Sequence, residues 1–218
     1  FGASGGGGNA GCIGCVCVNG SKGSGYTSPA DGIPSGDNFD IDYVVHEVGH
    51  QLGANHTFSM SNEGTGVNKE PGSGITIMGY AGITNMDVQP HSDPFFHAIS
   101  IQQVTNYIKS TSGSCSVNTA TGNTTPTANA GSDYTIPKST PFTLTGTGTD
   151  ADGDTVTYIW EQMDPQTNAT APNATKTSGV NFRSWTPSTS PIRVLPVMTS
   201  VLAGSTTTAG SEVTVEAL

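Results

Sequence analysis

The sequence has few charged residues and no long apolar run, and each shortage excludes a class of function. Only 11% of the 218 residues are charged, and 7 Lys and Arg against 17 Asp and Glu give a formal net charge of −10. This balance argues against nucleic acid as a partner, because phosphate binding depends on neutralisation by Lys and Arg. No run of about 18 apolar residues occurs, so we expect no membrane span.

Cysteine is also scarce, with four residues at Cys12, Cys15, Cys17 and Cys115. An even count in a chain poor in Lys and rich in Ser, Thr and Gly favours disulfides in an oxidising, extracytoplasmic setting. The alternative is a thiolate metal site, since Cys12 and Cys15 have the spacing of zinc knuckles, but a second pair at that spacing is missing. We therefore expect a secreted protein with disulfide bonds.

The N-terminal half has two helical patterns after a Gly-rich start. Residues 1–36 contain one apolar stretch, 13–18, that predicts a short strand. From Asp40, a fair N-cap, apolar residues recur at helical spacing until Gly53, which suits a helix end. A second apolar stripe predicts a helix from about Phe95 to Ile108.

The C-terminal half has the pattern of a β protein. Thr, Asn, Ser, Gly, Ala and Pro dominate the residues around 119–127, which we interpret as a linker between domains 1–118 and 128–218. No helical pattern follows residue 108. Alternation with turn residues between predicts antiparallel strands of a β-sandwich at 134–136, 142–144 and 156–160.

The stretch His46-Glu47-Val48-Gly49-His50 carries the chemistry, with Gly53 and His56 after it. Two histidines four apart share one face of a helix, so both imidazoles can reach one ion. Gly53 allows a turn that brings His56 back as a third ligand. Three protein ligands with an open fourth position are the arrangement of catalytic zinc.

Glu47 lies beside the first ligand and is the candidate general base. Zinc acidifies a bound water, and a neighbouring carboxylate can accept the proton and pass it to a leaving amine. The alternative is a buried helical pair with an unrelated loop histidine. Because several positions are specified within these eleven residues, the probability of such a coincidence is at most about a few per cent.

These residues resemble the zinc signature of the metzincins, a superfamily of metalloproteases with a methionine-containing turn after the zinc helix. Ile77-Met78-Gly79-Tyr80 is similar to that turn. The resemblance implies that Met78 forms an apolar base beneath the histidines. It also implies that Tyr80 approaches the zinc and the oxyanion, as in astacins and serralysins; a packed aromatic is the alternative.

The flanking residues look like the adamalysin or reprolysin branch, and in particular like its secreted bacterial members. Gly8-Asn9-Ala10-Gly11 leading to Cys17 is similar to the substrate-side edge strand, and Glu70-Pro71-Gly72-Ser73-Gly74 precedes the methionine turn as in those proteins. The resemblance implies a protein or peptide substrate that adds to the edge strand. We expect Cys17 to pair with Cys115, and Cys12 either to pair with Cys15 or to remain reducible.

One departure from the metzincin pattern concerns length. Only 45 residues precede His46, whereas the family's upper subdomain has several strands and a helix there. We therefore expect an α+β metzincin-like catalytic domain with an incomplete upper subdomain, in a fragment completed by a missing upstream segment or a partner chain. We expect such a fragment to have weak or no peptidase activity on its own.

The second domain resembles the polycystic-kidney-disease type of immunoglobulin-like module. The resemblance rests on residues 129–133, the 150–154 turn and Trp160, and it implies an all-β sandwich that spaces or anchors the first domain. Asp150, Asp152 and Asp154 alternate in the turn and are candidate calcium ligands. An Asx-rich hairpin turn is the favoured alternative.

The sequence therefore predicts a secreted zinc endopeptidase that hydrolyses peptide bonds in proteins. The alternative from another class is a non-catalytic adhesion or surface-binding protein that retains a metzincin shell. The intact Glu47 favours the enzyme, because that residue can be lost without harm to metal affinity.

Overall fold

In the described part of the N-terminal half, the regular structure is one small sheet and two helical segments. The computed structural model describes residues 6–137, 139–164, 166, 176, 179–208 and 212–213. Strand β1 (Gly7–Asn9) pairs antiparallel with β2 (Tyr26–Ser28), with Gly8 opposite Thr27. A helical stretch then covers residues 37–51, and α3 (Ala98–Ile108) follows a long segment of turns.

The zinc-motif helix is irregular at its start. It consists of α1 (Asp37–Phe39), a π-helical segment (Asp40–Val45) and α2 (His46–Gln51). The prediction of Asp40 as the N-cap is wrong, because its backbone N–H already donates to Gly36 O at 2.9 Å inside a helical turn. π-Helical turns are frequent at functional sites, and this one leads directly into the first candidate ligand.

The predicted strand at 13–18 is also wrong. Gly14 N donates to His50 O and Cys15 N to Gln51 O, each at 2.9 Å, so this segment satisfies carbonyl groups at the end of α2. Gly14 adopts a positive φ of 69°, and a disulfide joins Cys12 to Cys15 across the turn. These constraints override the strand propensity of the apolar residues.

Helix α3 begins three residues later than expected. His97 is its N-cap, in extended conformation, and its side chain accepts a hydrogen bond from Ile99 N. Beyond the helix, Cys115 forms a disulfide with Cys17, with 5.4 Å between the Cα atoms. Both disulfides join the cysteines paired in the sequence prediction. The longer one closes a loop of 98 residues, worth roughly 4 to 5 kcal/mol on the loop-entropy view.

A small apolar core lies between the zinc-motif helix and the segment that follows it. Ala54, Ile77 and Met78 are buried together, and partly buried residues pack around them: Ile41, Val45, Phe96 and Val104. Val48, which shares the apolar pattern of the helix, is 50% exposed. The buried stripe is therefore narrower than the sequence suggests.

The C-terminal half contains separate two-stranded antiparallel sheets. These are β3 (Thr127–Asn129) with β5 (Thr147–Thr149), β4 (Phe142–Thr145) with β6 (Ile192–Leu195), and β7 (Thr207–Thr208) with β8 (Glu212–Val213). Strand β4 matches the prediction for 142–144. Among the described residues no closed sandwich is formed, and the Ig-like module, which also includes residues outside them, stays a prediction.

Three details of this half contradict the sequence prediction. Residues 134–136 are not a strand, and Tyr134 is 63% exposed, so its alternation has no partner face. Within 156–160 only Tyr158 pairs, in an isolated bridge to Ser188. A short helix, α4 (Met198–Leu202), breaks the expectation of strands alone.

The two halves contact each other through specific hydrogen bonds. Lys69 Nζ donates to Met163 O at 2.5 Å, and Ala98 N donates to Glu161 Oε2 at 2.5 Å. Residues 116–126 between them have no regular structure, and the predicted domain boundaries stay a prediction. Across the described ranges, no helix has the length and apolar character needed to cross a membrane.

Candidate metal centre

Three histidines converge at the end of α2. His46 and His50 lie one turn apart and are buried, with 4% and 7% exposure. Gly53 has a φ of +99°, a conformation that lets the chain reverse and bring His56 alongside them. One candidate ligand atom from each histidine lies within 4.8 Å of the others, and this is the cluster of metal-binding type found among the described residues.

Each histidine has its Nδ1 atom held by an acceptor. His46 Nδ1 donates to Ile77 O at 2.6 Å, and His50 Nδ1 donates to Ala54 O at 2.7 Å. His56 Nδ1 lies 3.0 Å from both carboxylate oxygens of Glu63. A bond of this kind fixes the tautomer and leaves Nε2 free to bind a metal.

The environment keeps these imidazoles neutral. Burial lowers the pKa of His46 to about 3 and the pKa of His56 to about 4, and it also lowers the pKa of His50. The contact between His56 and Glu63 is therefore a hydrogen bond from a neutral ring, not an ion pair. Neutral imidazole is the form that binds metal.

The arrangement of the Nε2 atoms fits a cation. Nε2 of His50 faces Nε2 of His56 at 3.0 Å, and with both Nδ1 atoms protonated each Nε2 has only a lone pair. Two lone pairs at this distance repel unless a cation lies between them. Nitrogen ligands about 2.0 to 2.1 Å from a tetrahedral zinc are themselves about 3.3 Å apart, so zinc fits this donor set.

Sequence reasoning missed Glu63, which lies in the Gly- and Asn-rich segment after the motif. Its side chain is 36% exposed, against 16% for His56, and burial raises the pKa of its carboxyl group. No periodicity marks the position. A carboxylate seven residues after the third histidine can be recognised as its partner only when the path of the loop is known.

Glu47 lies on the other side of the histidine cluster, against strand β1. A Cβ atom added at Gly8 would come within 2.2 Å of Glu47 Oε1, so a larger residue there would displace the Glu47 side chain. Burial raises the pKa of Glu47, while a hydrogen bond from the backbone of Ala10 lowers it. Gln51 Nε2 also donates to Ala10 O at 2.9 Å, which joins the strand to the helix.

Met78 is fully buried beneath the zinc-motif helix. A Cβ atom at Gly49 would meet its Sδ atom at 2.5 Å, so a larger residue between the two helical histidines would displace the Met78 side chain. Sequence reasoning left this role of Gly49 unassigned. Met78 therefore lies directly under the helix that carries His46 and His50.

A buried carboxylate, that of Glu70, holds the methionine turn. The sequence indicated Glu70 only as part of the motif that precedes this turn. Glu70 is 1% exposed. Its oxygens accept hydrogen bonds from Ile75 N at 3.0 Å, Thr76 N at 3.1 Å and Thr76 Oγ1 at 2.6 Å, and also from Thr57 Oγ1. Glu70 thus joins the start of the turn to the segment just after His56.

Tyr80 packs among the ligands. Its ring centroid lies 4.5 Å from that of His56 and 5.6 Å from that of His46. Burial, with the nearby charges of Glu63 and Glu47, raises the pKa of Tyr80 to about 12. The phenol therefore stays protonated and can donate a hydrogen bond at neutral pH.

A cavity of about 320 Å³ opens beside this cluster. Its lining includes His46, Glu47 and Tyr80 on one side and the segment Pro90–Ser92 on another. Asp42 fixes that segment, since its carboxylate accepts from Ser92 N at 2.8 Å and lies 3.0 Å from His91 Nδ1. The cavity has a size that ligand sites commonly have.

The candidate calcium ligands lie apart from this centre and do not form a metal-binding cluster among the described residues. Asp150 Oδ1 accepts from Asp152 N at 2.8 Å and from Asp154 N at 3.4 Å. Asp152 accepts from Thr124 N at 2.5 Å. These bonds are those of an Asx-type turn, and calcium binding stays a prediction without structural support.

Comparison with known proteins gives one match. Residues 1–108 match the family model described as Metallo-peptidase family M12B Reprolysin-like. No curated protein and no solved structure matches the chain. The match supports a metzincin-like family and a peptidase activity for the segment that contains the three histidines. The appended module and the bacterial branch stay predictions.

Proposed function

Because residues 1–108 match the reprolysin-like M12B metallopeptidases, we propose that this chain is a zinc-dependent endopeptidase acting on peptide bonds in proteins. The observation that carries the proposal is the convergence of His46, His50 and His56, with each Nδ1 atom hydrogen-bonded and their candidate ligand atoms within 4.8 Å. In a purely structural cluster, the two facing Nε2 lone pairs would repel each other with no cation to compensate.

Zinc and two residues of the chain would each supply one part of the catalysis. Zinc in this site would supply a Lewis acid that acidifies water and polarises the substrate carbonyl. Glu47 would accept a proton at its carboxylate and return it to the departing amine. Tyr80 would donate a hydrogen bond from its protonated phenol to the developing oxyanion, a kind of stabilisation that is often the largest catalytic term.

Strand β1 is the proposed guide for the substrate backbone. It lies against Glu47 through Gly8, and among the described residues its one paired neighbour is β2. A strand with an open edge can accept an extended peptide as an added strand. Side chains of the bound peptide would then reach the cavity beside the three histidines.

We also propose that the protein acts outside the cytoplasm. All four cysteines are paired in two disulfides, and structural disulfides persist in oxidising compartments. The family match is compatible with this setting.

The test is hydrolysis of a fluorogenic protein substrate by the purified full-length protein, with zinc content measured on the same sample. We expect activity that a chelating phenanthroline abolishes and its non-chelating isomer leaves intact. Glu47→Gln should keep the zinc and lose the activity. A zinc-loaded wild-type full-length protein that cleaves neither proteins nor peptides would contradict the proposal and favour a binding protein with a metzincin shell.

A further inference from the structure

The wall of the cavity beside the histidines has no helix or strand of its own. Residues 90–92 lie in a long segment of turns between the methionine turn and α3. Gln89 bridges this wall, because its Nε2 atom donates to His91 O at 2.6 Å and to Asp93 Oδ1 at 3.1 Å. The position of the wall therefore depends on which way the Gln89 amide points.

A residue of the C-terminal half sets the orientation of the Gln89 amide. The Arg183 guanidinium donates to Gln89 Oε1. A guanidinium has only donors, so it faces the amide oxygen and not the amide nitrogen. With the oxygen turned toward Arg183, the nitrogen is directed toward the two acceptors of the wall.

Arg183 is itself firmly placed. It is 9% exposed, its guanidinium lies 4.2 Å above the Trp185 ring, and its Nε atom donates to Ser184 O at 3.1 Å. Ser184 Oγ donates to Glu161 at 2.9 Å, and the same carboxylate accepts from the first residue of α3. The arginine thus belongs to a hydrogen-bonded network that is anchored on the start of α3.

We infer that Arg183 is a positioning residue for the substrate cavity, acting through Gln89 on the wall formed by Pro90–Ser92. The segment after the linker would then be part of the specificity apparatus and not only a spacer. The part of the inference that concerns substrates rests on the proposed peptidase function. The part that concerns the wall depends on the hydrogen bonds alone.

The first test needs no substrate. Hydrogen exchange of the peptide covering residues 88–93 is compared in the full wild-type chain, Arg183→Met, Gln89→Leu and the control Lys69→Met. The control removes another cation that joins the two halves, at Met163 O, without touching Gln89. We expect exchange about tenfold faster in the first two variants, as for loss of one hydrogen bond, and unchanged in the control.

The second test uses activity. Arg183→Met should raise KM about five- to tenfold and change the cleavage profile of a peptide library, while kcat stays within about twofold, because only substrate positioning is lost. Arg183→Lys, which keeps a cationic donor, should recover part of the wild-type profile. The double variant with Gln89→Leu should be no worse than either single one.

The outcomes separate the two claims. An inactive full-length wild-type protein sinks the peptidase proposal, but hydrogen exchange still decides the inference. Unchanged exchange in Arg183→Met and Gln89→Leu, or equal acceleration in Lys69→Met, overturns the inference even if the enzyme is active. If Arg183→Met fails to fold, the same readouts on Gln89→Leu and Arg183→Lys decide it.

Discussion

Removal of the Glu63 carboxylate tests whether the metal site depends on groups beyond its three histidines. His56 is the ligand that lies outside the helix, and the side-chain bond that holds its Nδ1 atom is to Glu63, at 3.0 Å. The other two ligands have backbone carbonyl partners, which no substitution of a side chain removes. Glu63→Ala therefore loosens one ligand of the three.

The size of the effect follows from the exposure of the pair. Loss of a partner that orients a ligating histidine costs about 10- to 100-fold in metal affinity. The Glu63 side chain is 36% exposed, so water can replace it in part, and the lower end applies. We expect zinc to bind about tenfold more weakly to Glu63→Ala, or about 1.4 kcal/mol. Glu63→Gln keeps an oxygen acceptor without the charge, and about threefold is expected.

The assay is competition for zinc between the protein and a chromophoric chelator at fixed pH and ionic strength. Asp133→Asn is the matched control, since it removes one negative charge from an exposed site in the other half. A Glu63→Ala affinity within twofold of wild type would refute the reasoning. Equal loss in the control would show that net charge, not orientation of His56, governs the affinity.

Three further predictions use other parts of the site. Glu47→Gln should leave zinc content unchanged and lower kcat by at least about 100-fold, measured by metal analysis and turnover, because only the base is lost. Tyr80→Phe should lower kcat by about 10- to 100-fold with the same zinc affinity, because one oxyanion donor is lost; an unchanged kcat would make Tyr80 a packing residue. Burial raises the pKa of Glu161, so the folded state binds its proton more tightly than the unfolded state does, and stability falls as pH rises through the folded pKa. Denaturant melts from pH 4.5 upward should show this slope in wild type and lack it in Glu161→Gln; parallel profiles would contradict it.

The histidine site could be predicted from sequence because its geometry is local. Positions 46 and 50 must share a helical face whatever the rest of the chain does, and Gly53 supports the turn toward His56 with a φ of +99°. The pattern also located the helix that ends at Ile108. The start predicted at Phe95 is three residues too early, because His97 is extended and serves as the N-cap.

Other parts depend on contacts between distant residues, and no local pattern encodes them. The apolar run at 13–18 looks like a strand, but hydrogen bonds to His50 O and Gln51 O override that propensity. Glu63 reaches His56, and Arg183 reaches Gln89, from irregular segments. Such contacts become visible only when the chain path is known.

The histidine cluster and the methionine turn are coupled through direct contacts. The chain after the motif reaches the ligands twice, at Ile77 O, which holds His46 Nδ1, and at Met78, which packs against Gly49. Glu70 fixes the start of that same turn through the backbone of Ile75 and Thr76. A zinc ion that drew the three histidines together would therefore also stabilise the turn, since binding to the native state alone adds to the free energy of unfolding. Conversely, we expect damage to the turn to weaken zinc binding, because the acceptor that orients His46 moves with it.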